Sequence, residues 1–400
     1  AYDVGSEMYP SVKMVHNVGE KRRKQARLND RPYFMCEYAH AMGVGPGNTE
    51  AYWQEIYNYD NLMGGCVWEM VDHAVLHTDG SYTYGGDHGE WEHDRNFCVD
   101  GLFYPDRSPS TGAKLMRFIY RPIRVAHVSG GQFEVFNTTA FSTGRYRLAF
   151  RWNDGSKTIL TPQTAPLTKE TVTVPLGRAV DGLLAVIVET TDTVTGQIVS
   201  EEQLVLAQEV AAAPAVKPLP GNVAVEKGRL VCRKSGVVVV AGADEGTLLY
   251  RAPTDNDVDA MFHNLMVLYT RQTEETVSTQ QTADGWQVVT KITNKRGHYM
   301  VTDTYKGTDS GVLVTSVLHR VSGSQEIPRF GKTFRLDEVF DAVHYVGRSG
   351  ESYCDMKDQF PIRAVDCTVA DMTEPNLRPQ ESGNRMDCTM ASVSDGKTCV

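Results

Sequence analysis

The 400 residues hold eight cysteines, too few and too scattered for a disulfide scaffold, and none form a C-x-x-C pair. Cys36, Cys66 and Cys98 lie inside apolar stretches, where a free thiol usually behaves as a small core residue, so a reducing compartment is favoured. No apolar run approaches the roughly 20 residues of a membrane-spanning helix. Positive charge is also scarce: 40 Lys and Arg face 50 Asp and Glu, a net charge of −10. That balance argues against a chain whose main business is gripping nucleic acid. Internal repeats and low-complexity tracts are lacking, as are an initiator Met and a secretory signal pattern, which suggests processing or an internal piece of a longer protein. What is present is ordinary globular material. Apolar residues make up 41% and charged residues 22%, enough for two or three domains with large cores.

Helical and strand signals alternate at first. Asp3–Tyr9 reads as a strand, Ser11–Leu28 as a mostly polar helix whose Lys21-Arg22-Arg23-Lys24 run forms a solvated face, and Tyr33–Glu37 as a buried strand. Pro46-Gly47-Asn48 sets up a helix from Thr49 to Leu62 with Asn48 as N-cap, and Gly64–Asp72 is the next strand. The strand ends at Tyr9, Glu37 and Trp68 are 28 and 31 residues apart, one strand plus one crossover helix per step. The pattern predicts parallel α/β structure. Past Asp72 no further helix is expected. Val75–Tyr84 carries a hairpin signal at Asp79-Gly80, and 87–109 is loop-rich. From about Met116 the pattern has period two and runs some 90 residues to Gln208, the size of one immunoglobulin-type sandwich. Residues 211–222 read as a linker, and 223–400 as a larger β-domain with strands at Val237–Val240, Trp286–Ile292, Val312–Val317 and Val339–Val346.

Among residues able to carry chemistry, Glu37 stands out. It ends an apolar strand, with His40 three residues later, and α/β folds place reactive groups at the carboxyl ends of parallel strands. A helix cap or a simple ion pair is the plainer reading of the same position. Trp68 and Phe97 could make an aromatic platform for sugar rings, or be ordinary core. His73 and His77 have helical metal-ligand spacing but fall where a strand enters a hairpin, which counts against zinc. Cys36 neighbours Glu37 on a strand and so faces away from it, which counts against a thiol nucleophile. Asp87, Asp94 and Asp100 do not match a calcium loop.

Cys36-Glu37-Tyr38-Ala39-His40-Ala41-Met42-Gly43 closely resembles the nucleophile segment of bacterial β-galactosidases in glycoside hydrolase family 2. Gly64–Asp72, Tyr84-Gly85-Gly86-Asp87 and Phe97–Leu102 resemble that family's following strand and loops. Arg251–Asp257 and Pro379–Arg385 are similar to signatures of its terminal β-domain.

The resemblance implies the carboxy-terminal part of a TIM barrel (1–110), an immunoglobulin-like sandwich (111–210), a linker (211–222) and a truncated large β-sandwich (223–400). It implies a retaining β-galactosidase with Glu37 as nucleophile, Tyr9 supporting it, and Met8, His40 and Trp68 on the sugar. Phe97 and Asp100 match a loop that holds sodium, although Asp100 stands where the best-known members have Asn. The acid/base glutamate and the magnesium ligands lie, in the family, on earlier barrel strands. The expectation is therefore a piece without a cofactor of its own, inactive alone, whose partners are the β-galactoside and the amino-terminal part of the same polypeptide. Nucleic acid and membrane are not expected, self-association is open, and a cytoplasmic location is favoured over a periplasmic one. The rival reading from another class is a carbohydrate-binding or scaffolding β-module without chemistry.

Overall fold

A computed structural model describes residues 3–24, 29–208, 216–227, 229–236, 238–240, 246–258, 270–334, 336, 338–351, 353 and 355–400. They fall into two compact units. The first holds residues up to 210 together with 345–365 and 372–390, and the second holds 211–344, 366–371 and 391–400. The terminal stretch expected as one domain from Val223 is thus shared between the two. Among the described residues no helix is long and apolar enough to cross a membrane.

The first unit opens with strands β1 (Gly5–Met8), β2 (Tyr33–Tyr38) and β3 (Leu62–Val67), which form a parallel sheet in that order, with helices α1 (Val12–Gly19) and α2 (Thr49–Asn58) as the crossovers. Tyr33 and Met35 pack with Val15, Val18 and Leu62 against the helices, with Tyr52 and Ile56 beside them. Their alternating neighbours are less covered: Phe34 is half-buried and Cys36 exposed. Cys66 is also exposed and Cys98 half-buried, so these three cysteines are not the core residues their apolar surroundings suggested.

Helix α1 is much shorter than expected. Ser11 caps it through Met14 N–H, and it stops at Gly19, with Lys21 in a left-handed conformation (φ 57°). The basic run therefore lies beyond the helix, where Arg22 pairs with Glu20 at 2.7 Å and Arg23 lies over the Tyr33 ring at 4.5 Å. The end expected at Leu28 lies outside the described residues. Asn48 does not cap α2. It is left-handed (φ 60°), its side chain makes no capping bond, and its N–H donates to Asp355 Oδ2 at 2.9 Å.

After the hairpin β4 (Val75–Leu76) and β5 (Tyr82–Thr83), a helix absent from the sequence reading appears: α3, Thr111–Ile119, capped by Ser110. Its Ala113, Leu115, Met116 and Ile119 form a core with Ala41, Leu102 and Met356. Seven strands follow: β6 (Ile123–Ser129), β7 (Gln132–Asn137), β8 (Tyr146–Trp152), β9 (Lys157–Leu160), β10 (Lys169–Thr173), β11 (Leu183–Asp192) and β12 (Ile198–Gln208). They make a three-stranded sheet, β10-β7-β6, and a four-stranded one, β12-β11-β8-β9. Phe133 and Val135 from one meet Leu148, Phe150, Trp152, Val186 and Val188 from the other in a single core. Two ion pairs tie this sandwich to the helical segments beside it, one to α2 and one to the turn after α3. Arg124 forks onto Glu50 of α2 at 2.5 and 3.2 Å, and Arg121 meets the buried Glu202 at 3.1 Å.

The second unit is strand-rich. Strands β13 (Val223–Glu226), β14 (Arg229–Cys232) and β15 (Val238–Val240) form one sheet, and the short β16 (Thr247–Leu248) pairs outside it. A four-stranded antiparallel meander follows from β17 (Thr273–Thr282) through β18 (Gly285–Asn294) and β19 (Gly297–Gly307) to β20 (Val312–Gly323). Leu249, Ile292, Tyr299 and Val301 build one core, and Val223, Leu230 and Tyr305 another.

Candidate active site

The carboxyl ends of β1, β2 and β3 are stitched together by backbone hydrogen bonds. Tyr9 N–H donates to Glu37 O at 2.8 Å, Ala41 N–H to Trp68 O at 2.7 Å, and Glu69 N–H to Asp100 O at 3.0 Å. Two residues here adopt the left-handed conformation that costs a side chain strain, Tyr9 (φ 47°) and Ala39 (φ 57°), on either side of Glu37. Behind the ladder, Tyr38 fixes the end of β2. Its hydroxyl meets Tyr120 OH at 2.8 Å and accepts Trp53 Nε1–H at 2.9 Å, so two helical segments hold it.

The side chains converge on this edge. The Tyr9 phenol lies near the Glu37 carboxylate, and its pKa is driven above the ordinary tyrosine range by burial first and then by that carboxylate's charge. The Tyr9 and His40 rings meet edge to face at 6.3 Å, and His40 stacks on Phe97 at 6.3 Å. Asp100, 2% exposed, sits beneath them, with its Oδ2 taking Trp68 Nε1–H at 3.0 Å and lying 3.3 Å from His40 Nε2. Trp68 is 41% exposed and Met8 59%, so both offer apolar surface to a ligand. The structure thus brings Tyr9, Glu37, His40, Trp68, Phe97 and Asp100 into one cluster, with Met8 at its rim.

Sequence reasoning missed two members. Glu69 follows Trp68 through a cis peptide bond and faces Asp100. Burial first, and then the neighbouring Asp100 and Asp72 carboxyls, push the Glu69 carboxyl up to about 7. Burial would also raise Asp100, but His40 beside it, the neighbouring Glu69 and the Trp68 N–H outweigh it and hold Asp100 low. The pair therefore works as one acid and one carboxylate around neutral pH. Asp72 is pushed up to about 6, by burial first, although it accepts Gly101 N–H at 2.7 Å. Gly101 is required here, because a Cβ would lie 2.3 Å from Asp72 N. An acid at 69 and another at 72, on a strand whose end was already suspect, were the available signal.

The histidine pair 73 and 77 does not converge. His73 lies 3.5 Å from Glu69, whereas His77 bonds Thr83 Oγ1 at 2.8 Å. Among the described residues no cluster of three or more His, Cys, Asp or Glu could hold a metal ion.

A carboxylate backed by a phenol, beside a histidine and an exposed indole at the carboxyl edge of a parallel sheet, defines a polar pocket floor with an aromatic wall. Residues 1–125 match the family model described as glycosyl hydrolases family 2, TIM barrel domain, and 223–399 the one described as beta galactosidase small chain. The β-galactosidase of Staphylococcus xylosus is 27% identical over 98% of this chain and 44% of its own length. That of Priestia megaterium is 28% identical over 99% of this chain and 42% of its own. That of Klebsiella pneumoniae is 49% identical over 83 residues, 20% of this chain and 8% of its own. Two stretches of the chain thus carry its similarity to glycoside hydrolase family 2. Within it, its similarity lies with the β-galactosidases, and it spans less than half the length of the first two relatives.

Proposed function

We propose that these residues form part of a retaining β-galactosidase in which Glu37 attacks the anomeric carbon and forms a covalent glycosyl-enzyme. The observation that carries this reading is the place of Glu37 at the carboxyl edge of the parallel sheet, where Tyr9 N–H donates to its carbonyl at 2.8 Å and the exposed Trp68 indole stands on the next strand's end. His40 and Met8 contact the sugar, and Trp68 packs on its apolar face. Water released from that face contributes binding in ground and transition state alike. Phe97, through its carbonyl, and Asp100 are the residues that would hold a monovalent cation. Asp100 fits such a ligand, since its Oδ1 is buried and has no hydrogen-bond partner among the described residues. The seven-stranded sandwich is read as immunoglobulin-like and the second unit as part of a large terminal β-sandwich.

A retaining enzyme needs a second carboxyl about 5–5.5 Å from the nucleophile to protonate the leaving oxygen. The sheet supplies three strands, where a closed barrel uses eight. The 400 residues are accordingly inactive alone, and the acid comes from a part of the enzyme outside them. The raised pKa of Glu69 favours one second reading, in which Glu69 is itself the proton donor. Glu69 faces the buried Asp100 carboxyl, which weighs against it.

One set of assays separates these readings. The chain as it stands should not split lactose. In a full-length polypeptide carrying these residues, Glu37→Gln should lower galactoside turnover at least about 10⁴-fold without lowering Tm, because an amide cannot form the glycosyl ester. A variant that keeps a tenth of the rate removes Glu37 from the nucleophile role. Lactose hydrolysis by the 400 residues alone would instead assign the acid to Glu69. Galactose binding with no turnover in the full-length protein would leave a binding module.

A further inference from the structure

The loop from Asn96 to Tyr104 carries both Phe97 and Asp100, and it belongs to no helix and only to an isolated β-bridge at Phe103. Its middle is bonded by backbone to the segment after β3, with Glu69 N–H on Asp100 O at 3.0 Å and His73 N–H on Cys98 O at 2.7 Å, and its two ends are held by side chains. Two side chains from one distant segment grip its two ends. Arg378 Nη1–H donates to Oδ1 of Asn96, a residue 3% exposed, at 2.9 Å. Four residues earlier, Glu374 Oε1 accepts Tyr104 OH at 2.6 Å and, at 3.2 Å, the Thr111 N–H that opens α3.

The gripping segment is itself braced. Glu374 N–H donates to Ser382 Oγ at 3.2 Å, and Asp387 further along holds Arg348 at 3.0 Å and Lys357 at 2.8 Å. All of these residues belong to the first unit. We infer that Glu374 and Arg378 form a two-point clamp that positions the 96–104 loop, and with it Phe97 and Asp100, against His40 and Trp68. Both act on the site through the loop, so both are positioning residues. The inference rests on the proposed sugar site for its effect on turnover, but the clamp itself has a readout that needs no activity.

That readout is the Trp68 indole N–H, which ends on Asp100 Oδ2 at 3.0 Å. In the 400-residue chain labelled at tryptophan nitrogen, Arg378→Ala and Asn96→Ala should each shift the Trp68 indole resonance and speed hydrogen exchange at the amides of 96–101. The double variant should do little more than either single one, since both break the same bond. Arg378→Lys, which keeps one donor, should recover part of the native shift. In a full-length galactosidase carrying the same residues, Arg378→Ala should raise KM and lower kcat/KM about tenfold, while Tm stays within a few degrees. If Arg378→Ala and Asn96→Ala leave the Trp68 resonance and loop exchange at wild-type values, the clamp is wrong. If they move both but the full-length enzyme has no galactosidase activity in the first place, the clamp stands and the substrate assignment falls.

Discussion

The parallel sheet and the seven-stranded sandwich of the first unit solve the burial problem in opposite ways. The sandwich closes on itself: Phe133, Val135, Leu148, Phe150, Val186 and Val188 come from both sheets and are almost fully buried. The parallel sheet is covered by helices on one side, where Tyr33, Met35 and Leu62 are buried, while Met8 and Met63 are more than half exposed. Parallel sheets are normally buried on both faces. Here one face leaves apolar side chains in water. The difference teaches where stability and chemistry part company. The sandwich carries fold stability, and the sheet carries the polar edge on which a ligand can sit.

Truncations in the two regions should therefore cost very different amounts. Phe150→Ala removes a fully buried ring from the sandwich core and should cost about 3–5 kcal/mol in denaturant unfolding. Met63→Ala removes a side chain that is 56% exposed and should cost under about 0.5 kcal/mol. Equal costs would mean that the sheet is already covered on both faces in solution.

The next effect tests the joint between the sandwich and the turn after α3 that leads into it. Arg121 and Glu202 are both buried, and Glu202 also accepts Val125 N–H at 3.1 Å. Arg121→Met leaves that carboxylate buried without its cation and should cost about 3 kcal/mol. The pair Arg121→Met with Glu202→Leu should regain most of the loss, since a charge no longer lies stranded. A double variant as weak as the single would show that the ion pair is needed in its own right.

How much of this was legible in the sequence follows the same divide. Strand ends 28 and 31 residues apart gave the parallel sheet, because each step needs one crossover of nearly fixed length. Period two gave the strands of the sandwich. Helix α3 was hidden: it is nine residues long, and its buried Leu115, Met116 and Ile119 merge into the alternation that follows. Ser110 before Thr111 was its one readable mark. The Glu37, His40 and Trp68 positions came from a contiguous motif. The Glu69–Asp100 pair did not, because it is made by a loop returning 31 residues later to the end of β3. Proximity of that kind is a property of the chain path and leaves no periodic trace.

The smallest effect is also the one that sets the two regions against each other most directly, because they should respond to pH with opposite sign. In the sandwich, the Arg145 guanidinium holds the Asp192 carboxyl below the usual range, with bonds of 3.2 and 2.7 Å. A lowered acid stabilises the fold above its unfolded value, and that contribution is lost as pH falls. Glu69 and Asp72 are raised, to about 7 and about 6. Between their ordinary values and these, the unfolded chain has released protons that the fold still holds, so the site edge loses stability as pH rises from about 4 to 7 and gains nothing beyond. Hydrogen exchange at the amides of 69–72 and 100–101, corrected for intrinsic rates, should show weaker protection at pH 8 than at pH 5, by about tenfold at most. Amides of β11 should show no such loss. Glu69→Gln keeps a donor toward Asp100 without a proton to release, so it should flatten the profile at the site edge. If the variant keeps the wild-type slope, Glu69 is not the group that holds the proton, and the acid–carboxylate pairing with Asp100 has to be given up.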